Sequence, residues 1–130
     1  MDAHSVMHES LLLVPSRATP ALARHFVEEA LVSWGVAEEF ADVALVTSEL
    51  VTNAVMHAVG DVVISVDLTF DRVRIEVSDH SLAQPVTRDI DTASSGGWGM
   101  HIVDRLATQW GLDPRPDGKT VWCEVAKSAA

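Results

Sequence analysis

The sequence is short of positive charge: nine Lys and Arg residues stand against nineteen Asp and Glu, a formal net charge of −10 over 130 residues. A surface of that sign argues against a phosphate-backbone partner, so direct binding of nucleic acid is not expected. Cysteine occurs once, at Cys123. Neither an intramolecular disulfide nor a cysteine metal cluster can form, and a reducing compartment is the simpler assumption. The opening MDAHSVMHES has no basic stretch, and no apolar run is long enough for a transmembrane helix, so a cytoplasmic protein without a membrane partner is expected. Repeats and low-complexity segments are also lacking. The histidines at 4, 8, 25, 80 and 101 form no recognisable metal-ligand spacing.

What is there reads as one domain, residues 1–130 with a core from about 10 to 126, long enough to bury roughly two-thirds of its unfolded surface. Ser10 to Val14 is a short apolar run closed by Pro15, an edge strand. Thr19-Pro20 then gives an N-cap and a proline at the first helical position, opening a helix that Gly35 stops. A longer helix without Gly or Pro runs from Glu38 to about Ala58, ending at Gly60-Asp61. In the next strand Val62, Ile64, Val66 and Leu68 share a face. After a turn at Asp71-Arg72, Val73, Ile75 and Val77 alternate with polar residues, so Asp79 ends this strand with apolar parity. A loop to Gly96 feeds a third helix from Gly97 to about Thr108. Closing strands at Gln109–Leu112 and Thr120–Val125 flank a turn-rich segment at Pro114, Pro116 and Asp117-Gly118. The order β-α-α-β-β-α-β-β predicts an α+β two-layer sandwich, with a mixed, mainly antiparallel sheet covered on one face by three helices.

Three polar residues, Glu49, Asn53 and His57, recur every four positions on the long helix and fall within about 80° of arc. Leu45, Val46, Leu50 and Met56 project into the same sector, so that face is expected to be covered, and polar groups there need partners. Spacing alone leaves open an ordinary amphipathic helix whose polar edge drifts across the stripe. A second signal is Gly96-Gly97-Trp98-Gly99-Met100, a glycine-rich turn into a helix whose backbone N–H groups suit phosphate oxygens. Gly118-Lys119-Thr120 is not a P-loop: Asp113 stands where the first glycine is needed, and a strand follows instead of a helix. Trp34, Trp110 and Trp122 read as packing or surface anchors, because no basic groove accompanies them.

Taken together, ELVTNAVMH (49–57), VSDHS (77–81) and GGWGMHIVDRLA (96–107) resemble, in order and spacing, the N, G1 and G2 boxes of the GHKL ATPases. TSELVTNAVMHA is especially similar to the bacterial anti-sigma-factor serine/threonine protein kinases. The resemblance implies a Bergerat-type ATP-binding fold and ATP/ADP with Mg²⁺ as cofactors. It implies that Asn53 brings its side-chain oxygen to Mg²⁺, that Glu49 is the general base or orients the attacking group, and that Asp79 accepts a hydrogen bond from the adenine amino group. Gly97 and Gly99 would let backbone approach the phosphates, with Trp98 and Met100 beside them, while Thr120 resembles a strand threonine that helps hold adenine. His57 contacts phosphate or packs. The chain departs from the family's Asp-x-Gly-x-Gly pattern: Ser81 and Ala83 stand at the glycine positions, and Asp79, Ser81 and Pro85 look like a variant of the anti-sigma-like branch.

The implied activity is transfer of the ATP γ-phosphoryl group to a Ser or Thr of an anti-anti-sigma-like regulator, coupled to sequestration of a sigma factor, in a homodimer. The alternative is an ATP-binding regulatory module with little or no turnover that docks a protein partner. Arg88 is the only cation of the 80–96 loop, where some kinase members carry a basic residue ahead of the glycines. A third option, a histidine-kinase catalytic domain, is disfavoured because no helix pair with a phosphoacceptor histidine precedes the domain.

Overall fold

A computed structural model of the chain describes residues 5–57, 60–80 and 98–128. The elements run β1 (Ser5–Leu13), α1 (Thr19–Ser33), a 3₁₀ turn (Ala37–Glu39), α2 (Phe40–His57), β2 (Val62–Thr69), β3 (Arg72–Asp79), α3 (Trp98–Leu106), β4 (Gln109–Arg115) and β5 (Gly118–Ala126). One five-stranded sheet has the order β1-β2-β3-β5-β4. Each described pairing is antiparallel. The expectation of a mixed sheet is therefore corrected to an antiparallel one, because β4 forms a hairpin with β5 and brings the chain back from α3 in the opposite sense. The α+β sandwich with three helices is as expected.

Period-2 patterning sets the inner face of the sheet. Val62, Ile64, Val66 and Leu68 of β2 are buried, as are Val73, Ile75 and Val77 of β3 and Val121, Cys123 and Val125 of β5. Side chains of this size each contribute about 1.5–3 kcal/mol when fully buried. On the helical layer, Ala23, Val27, Ala30 and Leu31 of α1 meet Val43, Val46, Leu50, Val51 and Ala54 of α2, while α3 adds Met100 and Val103. The central helix is α2, which touches α1, α3, β2, β3 and β5.

Local chemistry explains most boundaries. Thr19 was expected as an N-cap, but the cap position falls on Ala18 and the hydroxyl works upstream instead. Thr19 Oγ1 donates to the Val14 carbonyl at 2.9 Å and accepts from the Ser16 N–H at 2.8 Å, fastening the β1–α1 turn while Pro20 occupies the first helical turn. Gly35, at φ 77°, lets the chain leave α1 through a left-handed residue. Pro114 lies within β4, longer than the Gln109–Leu112 expected, and is tolerated because β4 is an edge strand. Beyond β5, the Ser128 N–H donates to both Glu39 carboxylate oxygens at 3.0 Å, tying the C-terminal segment to the 3₁₀ turn. Among the described residues, no helix is long and apolar enough to cross a membrane.

Cys123 is fully buried on the inner face of β5, and burial pushes its thiol up to about 12. The folded protein should therefore resist thiol reagents at neutral pH and react stoichiometrically once unfolded. Rapid labelling in native buffer would show that β5 opens.

Candidate functional site

The cavity lies where α2 crosses the ends of β3 and β5. Leu50, Ala54, Val77 and Val121 form its apolar walls, and Asn53, Asp79 and Lys119 supply its polar groups. Apolar walls with a few convergent polar groups are the usual make-up of a small-molecule site.

Asp79 and Lys119 meet because β3 and β5 pair antiparallel with these two residues opposite each other. The Lys119 ammonium donates to both Asp79 oxygens, at 3.1 and 3.2 Å. Their side chains are only 1% and 8% exposed, so this is a buried ion pair and not a surface contact. Gly118 makes the approach possible, since a Cβ there would overlap the Asp79 carbonyl oxygen. In a dry pocket each charge depends on its partner far more than it would in water.

From the helical side, Asn53 turns toward the same cavity. Its Nδ2 is buried and has no hydrogen-bond partner among the described residues. An orphaned amide in a pocket points to a ligand that supplies the missing group, and a 180° rotation exchanges its donor for its acceptor oxygen. No cluster of three or more His, Cys, Asp or Glu suited to a metal occurs among the described residues. The side-chain oxygen of Asn53 is a ligand type that suits a hard cation such as Mg²⁺, which keeps water and phosphate oxygens as its other ligands. One turn earlier, Glu49 is half-buried, and desolvation raises its carboxyl above the ordinary carboxylate range. Arg24 Nη1 donates to Ser48 Oγ at 2.8 Å, bracing α1 against the turn of α2 that carries Glu49.

The sequence-predicted set is only partly brought together. Asn53 and Asp79 line the cavity, and Glu49 stands on the adjoining turn. Leu45 and Met56, expected beneath a covered face, are 49% and 55% exposed, so Glu49 sits at the rim of the buried stripe. Met100 is 1% exposed and packs in the core, and it is not among the residues lining the cavity. Thr120 is not brought to the cavity: strand alternation turns it to the opposite sheet face, where its hydroxyl lies 2.7 Å from Ser78 Oγ. His57 ends α2, while Trp98 and Gly99 open α3. Ser81 and Gly97 lie outside the described residues.

Lys119 is the pocket residue that motif reading missed. The signal was present, because Lys119 shares odd parity with Val121, Cys123 and Val125, the inward residues of β5.

The family model for the histidine kinase-like ATPase domain matches residues 15–124 of the chain. No curated protein gives a significant match.

Replacing either member of the ion pair alone, by Asp79→Leu or Lys119→Met, should cost about 3–5 kcal/mol in urea unfolding, whereas the double replacement should return close to wild type. Additive losses would mean that the two charges are not coupled.

Proposed function

The chain belongs to the histidine kinase-like ATPase family, and on that premise we propose that it is an ATP- and Mg²⁺-binding serine/threonine protein kinase of the anti-sigma-factor type. The observation that carries this reading is the convergence of Asn53 and Asp79 on one cavity, with the Asn53 amide nitrogen buried and unsatisfied. Asp79 reads the adenine amino group from the floor of the pocket, and Leu50, Ala54, Val77 and Val121 offer apolar contact to the base. Asn53 would hold Mg²⁺ through its side-chain oxygen, and the bound cation would supply positive charge to offset that of the phosphates.

Glu49 takes the proton of the attacking Ser or Thr hydroxyl or orients that group. Its raised pKa suits the role, since a base works best when its pKa approaches the working pH. The acceptor in this reading is an anti-anti-sigma-like regulator, and a sigma factor is the sequestered partner. A homodimer is part of the same proposal.

A second reading, an ATP-binding module with little turnover, is favoured by one feature. Lys119, the cation lining the described cavity, is engaged with Asp79 at the base-reading end. Transition-state charge on the transferring phosphoryl group would then have little protein stabilisation.

Calorimetric titration should give ATP binding that Mg²⁺ strengthens and that Asn53→Ala weakens by about tenfold or more, a loss of about 1.4 kcal/mol. A folded wild type that produces no heat would overturn the nucleotide site. With a candidate regulator and labelled ATP, label should appear on Ser or Thr at a rate that rises with pH as Glu49 loses its proton, with a midpoint above the ordinary carboxylate range. Glu49→Gln should lower that rate by about 10²–10⁴-fold while leaving ATP bound. Nucleotide-dependent complex formation without label would select the second reading.

A further inference from the structure

The Asp79–Lys119 pair offers more than a neutralised carboxylate. We propose that Lys119 is a second base-reading residue, donating a hydrogen bond to the ring nitrogen N1 of adenine beside the amino group that Asp79 accepts; this rests on the nucleotide reading above. Lys119 is 6% exposed and lines the cavity together with Asp79. Its ammonium carries three donors, and the two bonds to the Asp79 oxygens account for two of them. The cavity thus presents a pure acceptor and a pure donor side by side between apolar walls. The edge of adenine carries the complement, an amino donor next to a ring acceptor. A carboxylate alone accepts from any N–H, whereas the pair requires a donor and an acceptor in adjacent positions.

The ion pair also keeps the donor in place before ligand arrives. Pairing across β3 and β5 holds the Lys119 side chain in the cavity, and Gly118 lets the two strands approach where the pair forms. A base without the ring acceptor would leave a buried ammonium hydrogen unsatisfied, which costs more than failing to gain an exposed contact. Lys119 therefore acts in base selection, while phosphate and Mg²⁺ contacts belong to other residues.

The test compares ATP with 1-deaza-ATP, in which a C–H replaces N1, by calorimetry on the full chain. Wild type should bind 1-deaza-ATP about tenfold to a hundredfold more weakly than ATP. Lys119→Met should bind the two ligands within about twofold of each other, even where both bind more weakly than to wild type. Wild type that binds both equally overturns the role of Lys119 while leaving the ATP site intact. Tighter ATP binding by Lys119→Met overturns it too, because the ammonium would then obstruct the base. Wild type that binds neither nucleotide fails at the earlier step and removes the whole reading. If Lys119→Met does not fold, the two wild-type titrations still decide.

Discussion

Two opposite charges, Asp79 and Lys119, lie buried against each other at one end of the sheet. Removing a carboxylate and an ammonium from water costs several kcal/mol apiece, and the interior returns that cost only when geometry is good. Asp79 and Lys119 have that geometry because β3 and β5 are hydrogen-bonded neighbours in register, with Gly118 small enough to let the strands close. A one-residue slip in that register would turn one of the pair to the opposite face. Correct sheet assembly and a formed polar site are thus the same event.

The far face of the sheet solves a different problem. Arg72 and Arg74 reach Glu124 at 2.8 and 2.9 Å, Arg74 also binds Glu76 at 2.7 Å, and the Arg74 guanidinium lies 4.2 Å from the Trp122 ring centroid. These groups are partly exposed, so each pair contributes little by itself. Trp122 in turn presses on Gly111, where a Cβ would come within 2.8 Å of its ring. The three tryptophans read as anchors do anchor locally: Trp122 binds the outer face, Trp110 Nε1 donates to Asp104 at 3.0 Å to tie β4 to α3, and Trp34 packs against the core. Among the described residues the core is mainly aliphatic, and the buried acidic side chains are Glu39 and Asp79.

Position along α2 separates the polar residues by environment. Asn53 faces the cavity and is unsatisfied there, whereas Glu49, one turn earlier, stands where burial raises its pKa without removing it from solvent. One turn of the helix thus separates a buried, unsatisfied amide from a half-buried carboxylate.

Local periodicity in the sequence determined much of this protein. Alternation assigned Asp79 to the inner face, the run from Glu38 to Ala58 located α2 within a few residues, and Gly35 and Gly60 marked turns that the structure builds with positive φ. Those features depend on neighbours in the chain, so they are legible one segment at a time. Tertiary structure alone decided that Lys119, and not Thr120, meets Asp79 across strands forty positions apart, that the sheet is antiparallel at every described pairing, and that Leu45 and Met56 face outward. Strand order and register are settled by packing between distant segments. A period-2 pattern states that a residue points inward without stating what it will find there.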